Sequence, residues 1–488
     1  MKTNPFLLTD YYKVGHVFQY PKNTTLVYSN LTPRSSRLDG VNEMVFFGLQ
    51  YFIKEYLMNY FTENFFDQPK EKVVDNYKRR IVSSLGVPLP TYKHLERLHD
   101  LGYLPIEIKA LPEGSMVPMK VPCITLVNTL PEFYWLTNFL ESILSAIIWQ
   151  PCTSATIAHE YKKLLNSHAI DTGMPTEFVQ WQGHDFSFRG MSSLESAITS
   201  GMAHLLSFTG TDTIPAIDAL EEYYNANAET ELIGGSVAAT EHSVMCSGSK
   251  DGELETFKRL ITEVYPSGII SIVSDTWDLW KVCTEYLPAL KEVILKRDGK
   301  VVIRPDSGDP VKIICGDIDG KTIAECKGVV ELLWDVFGGT ITDKGYKLLD
   351  VHIGAIYGDS INLQRAEAIC EGLKQKGFAS QAVFGIGSFT YQYNTRDTFG
   401  MAMKATYVEV EGEGREIFKN PVTDDGTKRS ATGLLQVKKE NNRYVLYDKV
   451  GWVEEKDSEL KTVFKDGKLI RNVSLQEVRE RLRKSQDL

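Results

Sequence analysis

The sequence predicts an α/β protein: an irregular parallel α/β barrel with a flanking α+β domain formed from the N- and C-terminal parts of the chain. Three observations predict it. Four apolar runs, IISIVSD ending at Asp275, VVIRPDSGDP over 301–310, VHIGAIYGD ending at Asp359 and QAVFGIGS ending at Ser388, each empty into small or acidic residues, as buried strands do. Segments with helical spacing, 276–295 and 361–374, separate them, and strand–helix alternation implies a parallel sheet. Short alternating runs occupy both ends of the chain and can join into one flanking domain. The expected division is residues 1–150 for the N-terminal flanking part, 151–398 for the barrel and 399–488 for the β-rich C-terminal part.

Taken in order, the stretch 9–21 (TDYYKVGHVFQYP) opens with a Thr-Asp cap signal and ends at Pro21, which predicts a short helix and a turn. Leu49, Phe52, Ile53, Tyr56, Leu57 and Tyr60 then repeat at helical spacing and predict a core-facing helix. Between 102 and 128 the runs IEIKA, MVPMKV and ITLV, broken by Pro and Gly, predict a small antiparallel region. A helix over 135–148 leads through Pro151 into the second half, where 178–181 reads as a strand and a capped helix starts at Ser192 or Ser193. After residue 399 alternation returns in MKATYVEV and YVLYDKVGW, and 474–484 reads as a solvated charged helix.

Composition excludes several classes. Hydrophobic content of 43% and 24% charged residues are ordinary globular values. A net charge of −10 argues against nucleic-acid binding, so an anionic ligand needs a local basic cluster. The seven cysteines are scattered without C-x-x-C spacing, which points away from zinc and disulfide frameworks and toward a reducing cytoplasm. Only three consecutive apolar residues, Phe6 to Leu8, stand near the N-terminus, and no run approaches the length of a membrane span, so a soluble cytoplasmic protein is expected.

The chemistry starts at 301–310. Arg304, suited to a two-point grip on phosphate, lies two residues from Asp306, suited to ribose hydroxyls or a hydrated metal ion; a surface ion pair is the plainer alternative. Barrel topology would bring Asp275, Arg304, Asp306 and Asp359 together at the carboxyl ends of the strands. In QGHDFSFRG, Phe186 and Arg189 offer a ring to stack on a planar base and a guanidinium for phosphate, or else a core phenylalanine and a surface arginine. Asp212 in FTGTDT is either a helix N-cap or a ligand contact. His242 beside Glu241, and Asp10 and Tyr12 in the first stretch, are each either structural or site residues.

Together these motifs identify a resemblance. From TDYYKVGH through FFGLQY, LPIEIKALPEG, YWLTNFLE, HDFSFRGMSS, GTDT, AATEHS, IVSD, IRPDSGDP, YGDS and TRD to FKNPVTDDGTKRS, the chain resembles the nicotinamide phosphoribosyltransferases, collinearly over nearly its whole length. The resemblance implies transfer of the phosphoribosyl group of phosphoribosyl pyrophosphate to nicotinamide, giving nicotinamide mononucleotide and pyrophosphate. It implies Mg2+, ATP coupled through a phosphorylated His242, and a homodimer with active sites at its interface. The ring would lie between Phe186 and Tyr12 of the other subunit, with Asp10 nearby. Asp212 would read the carboxamide and repel the carboxylate of nicotinic acid. Arg189, His242 and Arg304 would hold diphosphate and phosphate, and Asp306, Gly358 and Asp359 the ribose and 5′-phosphate. Ser388, Arg396, Lys404 and Lys419 would complete the phosphate contacts, and Asp275 with Asp306 would hold the metal through water and diphosphate.

Two departures stand out. The family's glycine-rich phosphate loop reads FGIGSFT here, with Ile386, Ser388 and Phe389 in place of small residues, and a family serine ahead of Lys404 appears as Ala402. Two rival readings remain at this level: a nicotinate phosphoribosyltransferase, opposed by Asp212, and a silent nucleotide-binding scaffold, opposed by the intact set of charged residues.

Overall fold

A computed structural model describes residues 3–418 and 431–485. The chain divides into two compact units, one of Met1–Ala155, Leu220–Ala226 and Asn394–Leu488, the other of Thr156–Ala219 and Asn227–Tyr393.

The second unit carries seven strands: β1 (Gly183–Asp185), β2 (Gly210–Thr211), β3 (Ala238–Ala239), β4 (Ile270–Val273), β5 (Val301–Arg304), β6 (Ile353–Tyr357) and β7 (Val383–Ile386). They form one sheet in the order β2-β1-β7-β6-β5-β4-β3, and every neighbouring pair is parallel. The two edges approach each other through Gly235. Its N–H donates to Thr209 O at 2.8 Å and its carbonyl accepts from Thr211 N–H at 2.9 Å, so the segment entering β3 closes the ring against β2. This is the irregular barrel expected, and β4 to β7 coincide with the four apolar runs.

Two local expectations change. Residues 178–181 are not a strand: a 3-10 turn, Thr176–Phe178, runs into a helix, Val179–Gln182, and extended chain begins only at Gly183. Pro175 at φ −54° leads into that turn, and Val179 and Gln182, three apart, face inward. The helix expected from 276 starts at Leu279, because Asp278 accepts hydrogen bonds from the N–H groups of Trp280 and Lys281 and fixes the first turn. Ser193 caps the helix Leu194–His204 by accepting from Ser196 N–H, one of the two starts anticipated.

The first unit is built on a seven-stranded antiparallel sheet that mixes chain ends. Its order is Glu413–Glu416, Ala402–Val410, Thr24–Thr32, Ile124–Asn128, Ile106–Ala110, Lys461–Lys465, Lys468–Leu469. The interior strand Thr24–Thr32 carries no clean alternation, since most of it is buried on both faces. Leu49–Phe52 begins a helical stretch that widens into π-helix over Ile53–Tyr60, with Leu49, Phe52, Ile53 and Leu57 in the core. Helix Glu141–Thr172 runs through Pro151, whose ring packs against Gly48; a Cβ there would lie 2.7 Å from Pro151 Cγ, and the φ of +99° suits only glycine.

Two further expectations are corrected here. Asp10 caps nothing: its carboxylate accepts from Ser142 Oγ at 2.5 Å. The terminal helix Leu475–Lys484 is not simply solvated, because Leu475, Val478 and Leu482 form a buried stripe that the surrounding charges obscure in the sequence. Arg481 on that helix donates to the Glu113 carbonyl. Among the described residues, no helix is long and apolar enough to cross a membrane.

Glu113 is a buried anchor of this unit. Its carboxylate accepts from Gly48 N–H at 2.8 Å, Gln50 N–H at 2.6 Å and Tyr224 Oη at 2.7 Å. Glu113→Ala would strand three buried donors, and we expect a loss on the order of 3 kcal/mol, read as a lower urea midpoint for unfolding.

Candidate functional site

Because the barrel strands are parallel, the residues that follow each of them share one end of the barrel. Phe186 and Arg189 follow β1, Asp212 follows β2, and His242 lies just beyond β3. Asp275 follows β4, Arg304 ends β5 with Asp306 after it, Gly358 and Asp359 follow β6, and Ser388 follows β7. Their placement reflects local chemistry: each loop is tied to its neighbour by polar groups at the strand ends.

Asp275 makes the central tie. Its Oδ2 accepts from Asp306 N–H at 2.9 Å, Ser307 N–H at 2.8 Å and Ser307 Oγ at 2.5 Å, which fixes the loop carrying Arg304 and Asp306. The other oxygen, Oδ1, is buried, has no hydrogen-bond partner among the described residues and lies 3.9 Å from His242 Nε2. His242 Nδ1 is 3.2 Å from Thr276 Oγ1, so the half-exposed imidazole is held by the loop after β4.

Arg304, only partly exposed, donates to the Thr240 carbonyl at 2.9 Å, while its Nε, 3.8 Å from Asp306 Oδ2, has no hydrogen-bond partner among the described residues. Burial pushes the Asp306 carboxyl above its ordinary value; Arg304 and His242 oppose the shift, and negative charge on Asp275 and Asp359 adds to it. Crowded carboxylates with an unpartnered buried oxygen suit a hydrated divalent cation. Among the described residues no group of three or more His, Cys, Asp or Glu forms a direct metal cage, so such an ion would keep water or diphosphate ligands.

Phe186 faces Arg304, whose guanidinium lies 6.0 Å from the ring centre. Its backbone N–H donates to the Ile386 carbonyl at 3.0 Å, and Asp185 clamps the next residue by accepting from Ser187 N–H and Oγ. Glycine makes room for the ring: a Cβ on Gly385 would sit 2.4 Å from Phe186 Cδ2, and one on Gly358 would sit 2.6 Å from Asp306 Oδ1. Gly358 is thus required by close approach on two sides.

A cavity of about 480 Å³ opens beside Phe186, lined by Trp181, His184, Asp212, Ser236, Arg304 and mostly apolar strand residues. Asp212 is not the helix cap that its turn suggested. Its Oδ1 lies 2.8 Å from His184 Nε2 and accepts from Ser236 Oγ at 2.7 Å. Burial alone would raise the Asp212 carboxyl, but the bonded His184 and Ser236 and the charge of Arg304 outweigh it and hold the group below its ordinary value. An ionised carboxylate in this cavity can only accept hydrogen bonds.

The phosphate-loop departures also find their places. Ile386 is fully buried inside β7 and leaves the loop itself unobstructed, whereas Phe389 is about half-exposed. Ser388 Oγ packs against Gly190, where a Cβ would approach it to 2.1 Å, so Ser388 sits beside the turn of Arg189. Ala402 is buried in the other unit. Asp10, Tyr12, Arg396 and Lys404 belong to that first unit; Tyr12 is 63% exposed, and Arg396 pairs at 3.5 Å with its neighbour Asp397. Lys419 lies outside the described residues. His184, Ser236, Thr240, Thr276 and Ser307 escaped the sequence reading; only the alternation of His184 with Phe186 on either side of Asp185 hinted at one of them.

Two outcomes follow for the site itself. Asp306 ionises at higher pH in the folded chain than in the unfolded one, so its charge opposes folding, a cost absent in strong acid and complete above the folded value. Asp306→Asn should therefore raise the urea midpoint at neutral pH but not in strong acid. Gly385→Ala should displace Phe186 and weaken binding of a planar aromatic ring about tenfold, measured by titration.

The comparisons with known proteins agree among themselves. A model of the nicotinate phosphoribosyltransferase family matches residues 181–468, and one of the nicotinamide phosphoribosyltransferase N-terminal domain matches residues 4–108. The nicotinamide phosphoribosyltransferase of Acinetobacter baylyi is 55% identical, over 99% of this chain and 97% of that protein. That of Mycoplasma pneumoniae is 37% identical over 88% and 94%, and that of Xanthomonas campestris 33% over 98% and 97%. Among solved structures, nicotinate-nucleotide pyrophosphorylase from Pyrococcus furiosus has a TM-score of 0.61 at 14% identity, covering 99% of this chain and 95% of that one. Human nicotinic acid phosphoribosyltransferase has a TM-score of 0.56 at 13% identity, covering 98% and 93%. At such identities the two structures speak for the fold alone.

Proposed function

The chain belongs to the nicotinate and nicotinamide phosphoribosyltransferase family, and from that premise we propose that it transfers the phosphoribosyl group of phosphoribosyl pyrophosphate to the ring nitrogen of nicotinamide. The products are nicotinamide mononucleotide and pyrophosphate, and the setting is NAD salvage. The observation that carries the choice of acceptor is the Asp212 carboxylate, held below its ordinary pKa in a cavity beside Phe186. It accepts a carboxamide N–H and repels nicotinate. Sites built on a substrate hydrogen bond discriminate by about 10⁴ to 10⁵.

In this reading the ring stacks on Phe186, and its nitrogen already carries the lone pair that attacks C1 of the ribose, so no general base is needed. Positive charge grows on the sugar as the bond to pyrophosphate breaks; negative charge grows on the leaving group. Arg304, with an unbonded Nε, and Arg189 stabilise that negative charge. Asp306 and Asp359 orient ribose hydroxyls and the 5′-phosphate beside Gly358, and Ser388 contributes a hydroxyl to phosphate. Mg2+, held by Asp275 and Asp306 through water and diphosphate, supplies further charge neutralisation when bound.

ATP acts as co-substrate through phosphorylation of His242, whose imidazole is half-exposed and oriented by Thr276. The working form is a cytoplasmic homodimer, with the exposed Tyr12 and neighbouring Asp10 of one subunit closing the ring site of the other. The resemblance gives Arg396, Lys404 and Lys419 as further phosphate ligands, some of them contributed across the dimer. All seven cysteines are free, which accords with a reducing compartment.

Initial rates with phosphoribosyl pyrophosphate and Mg2+, comparing nicotinamide with nicotinic acid, test the proposal. Mononucleotide formed from nicotinamide in at least hundredfold preference, lost in Asp212→Asn, is expected; preference for nicotinic acid overturns the choice of acceptor. ATP should stimulate the wild type, and stimulation that survives His242→Ala refutes the phosphohistidine.

A further inference from the structure

We propose that His184 is the positioning and specificity-determining residue that makes Asp212 an amide reader; this rests on Asp212 facing the substrate. His184 sits at the middle of β1, its Nε2 2.8 Å from Asp212 Oδ1. The imidazole is wedged in place. A Cβ on Gly210 would meet its Nδ1 at 2.7 Å, and the Phe186 ring lies 4.9 Å away on centroids. The backbone adds to the fit, since Asp212 N–H donates to the Asp185 carbonyl at 2.9 Å, setting the register between the loop after β2 and the strand of His184.

The consequence is geometric first. Because an ionised carboxylate only accepts, Nε2 carries the proton of this bond. His184 and Ser236 both address Oδ1, and Oδ2 has no hydrogen-bond partner among the described residues. One oxygen is therefore committed to the protein, and the other remains for one substrate N–H. The consequence is also electrostatic. Half-buried Asp212 stays ionised because donors compensate its lost hydration. Without His184 the carboxylate loses the donor that fixes its orientation, so the oxygen that reads the amide is no longer held in place. Selectivity is thus a property of the pair, and the histidine carries the half that an inspection of substrate contacts misses.

The test uses the full-length enzyme and steady-state kinetics at neutral pH with both vitamins. His184→Phe removes the donor and keeps an aromatic ring; His184→Gln restores an N–H donor. For His184→Phe we expect KM for nicotinamide to rise about tenfold with kcat within about threefold, and the kcat/KM ratio of nicotinamide over nicotinic acid to fall about tenfold to thirtyfold. His184→Gln should recover most of that ratio. Ser236→Ala removes the second donor to Oδ1 and should lower the ratio about tenfold, so the proposal stays testable if His184→Phe does not fold. Turnover of both vitamins slowed in proportion, or a ratio unchanged in these variants, overturns the assignment and leaves His184 a packing residue. A wild type that itself prefers nicotinic acid removes the reading of Asp212 and this assignment with it. Wild-type preference for nicotinamide with unaltered variant ratios removes only the role of His184.

Discussion

The site depends on one carboxylate doing the work of a clasp. Asp275 emerges from β4, and three donors from the loop after β5 converge on its Oδ2. Hydrogen bonds to a charged acceptor are about twice as strong as neutral ones, and this set holds Arg304 and Asp306 where a flexible loop would let them drift. The same side chain turns its second, unpartnered oxygen toward His242. Binding and the proposed phosphorylation chemistry are thereby referred to one residue.

Around that clasp the barrel trades side-chain bulk for ligand space. Gly358 and Gly385 let Phe186 lie against strand ends that any Cβ would push away. The buried Nε of Arg304 has no hydrogen-bond partner among the described residues, an arrangement that favours an anion beside it. An acidic protein thus gathers positive charge locally, with the carboxylates of Asp275, Asp306 and Asp359 balancing it.

Much of this was legible in the sequence. Asp275, Arg304, Asp306 and Asp359 each close a β-branched, apolar run, so strand polarity and barrel topology were enough to predict that they meet. Asp212 was legible as polar and turn-placed, but not as His184-bonded, because that bond joins two short strands of two and three residues. Strands so short leave no period to read, which is also why 178–181 was mistaken for the strand that begins at Gly183. The interior strand Thr24–Thr32 escaped because burial on both faces erases alternation, and the stripe of the terminal helix was masked by its own charges. Arg396 and Lys404 were reached through family resemblance alone, since no local pattern in the sequence singles them out.

The most direct test of the clasp is calorimetric titration of phosphoribosyl pyrophosphate with Mg2+ into wild type and Asp275→Ala, with nicotinamide titrated separately into each. Loss of the clasp should weaken phosphoribosyl pyrophosphate binding by about a hundredfold or more while nicotinamide affinity changes little. Equal affinity for phosphoribosyl pyrophosphate in the two proteins would contradict the account, because the loop of Arg304 and Asp306 would then be ordered without Asp275.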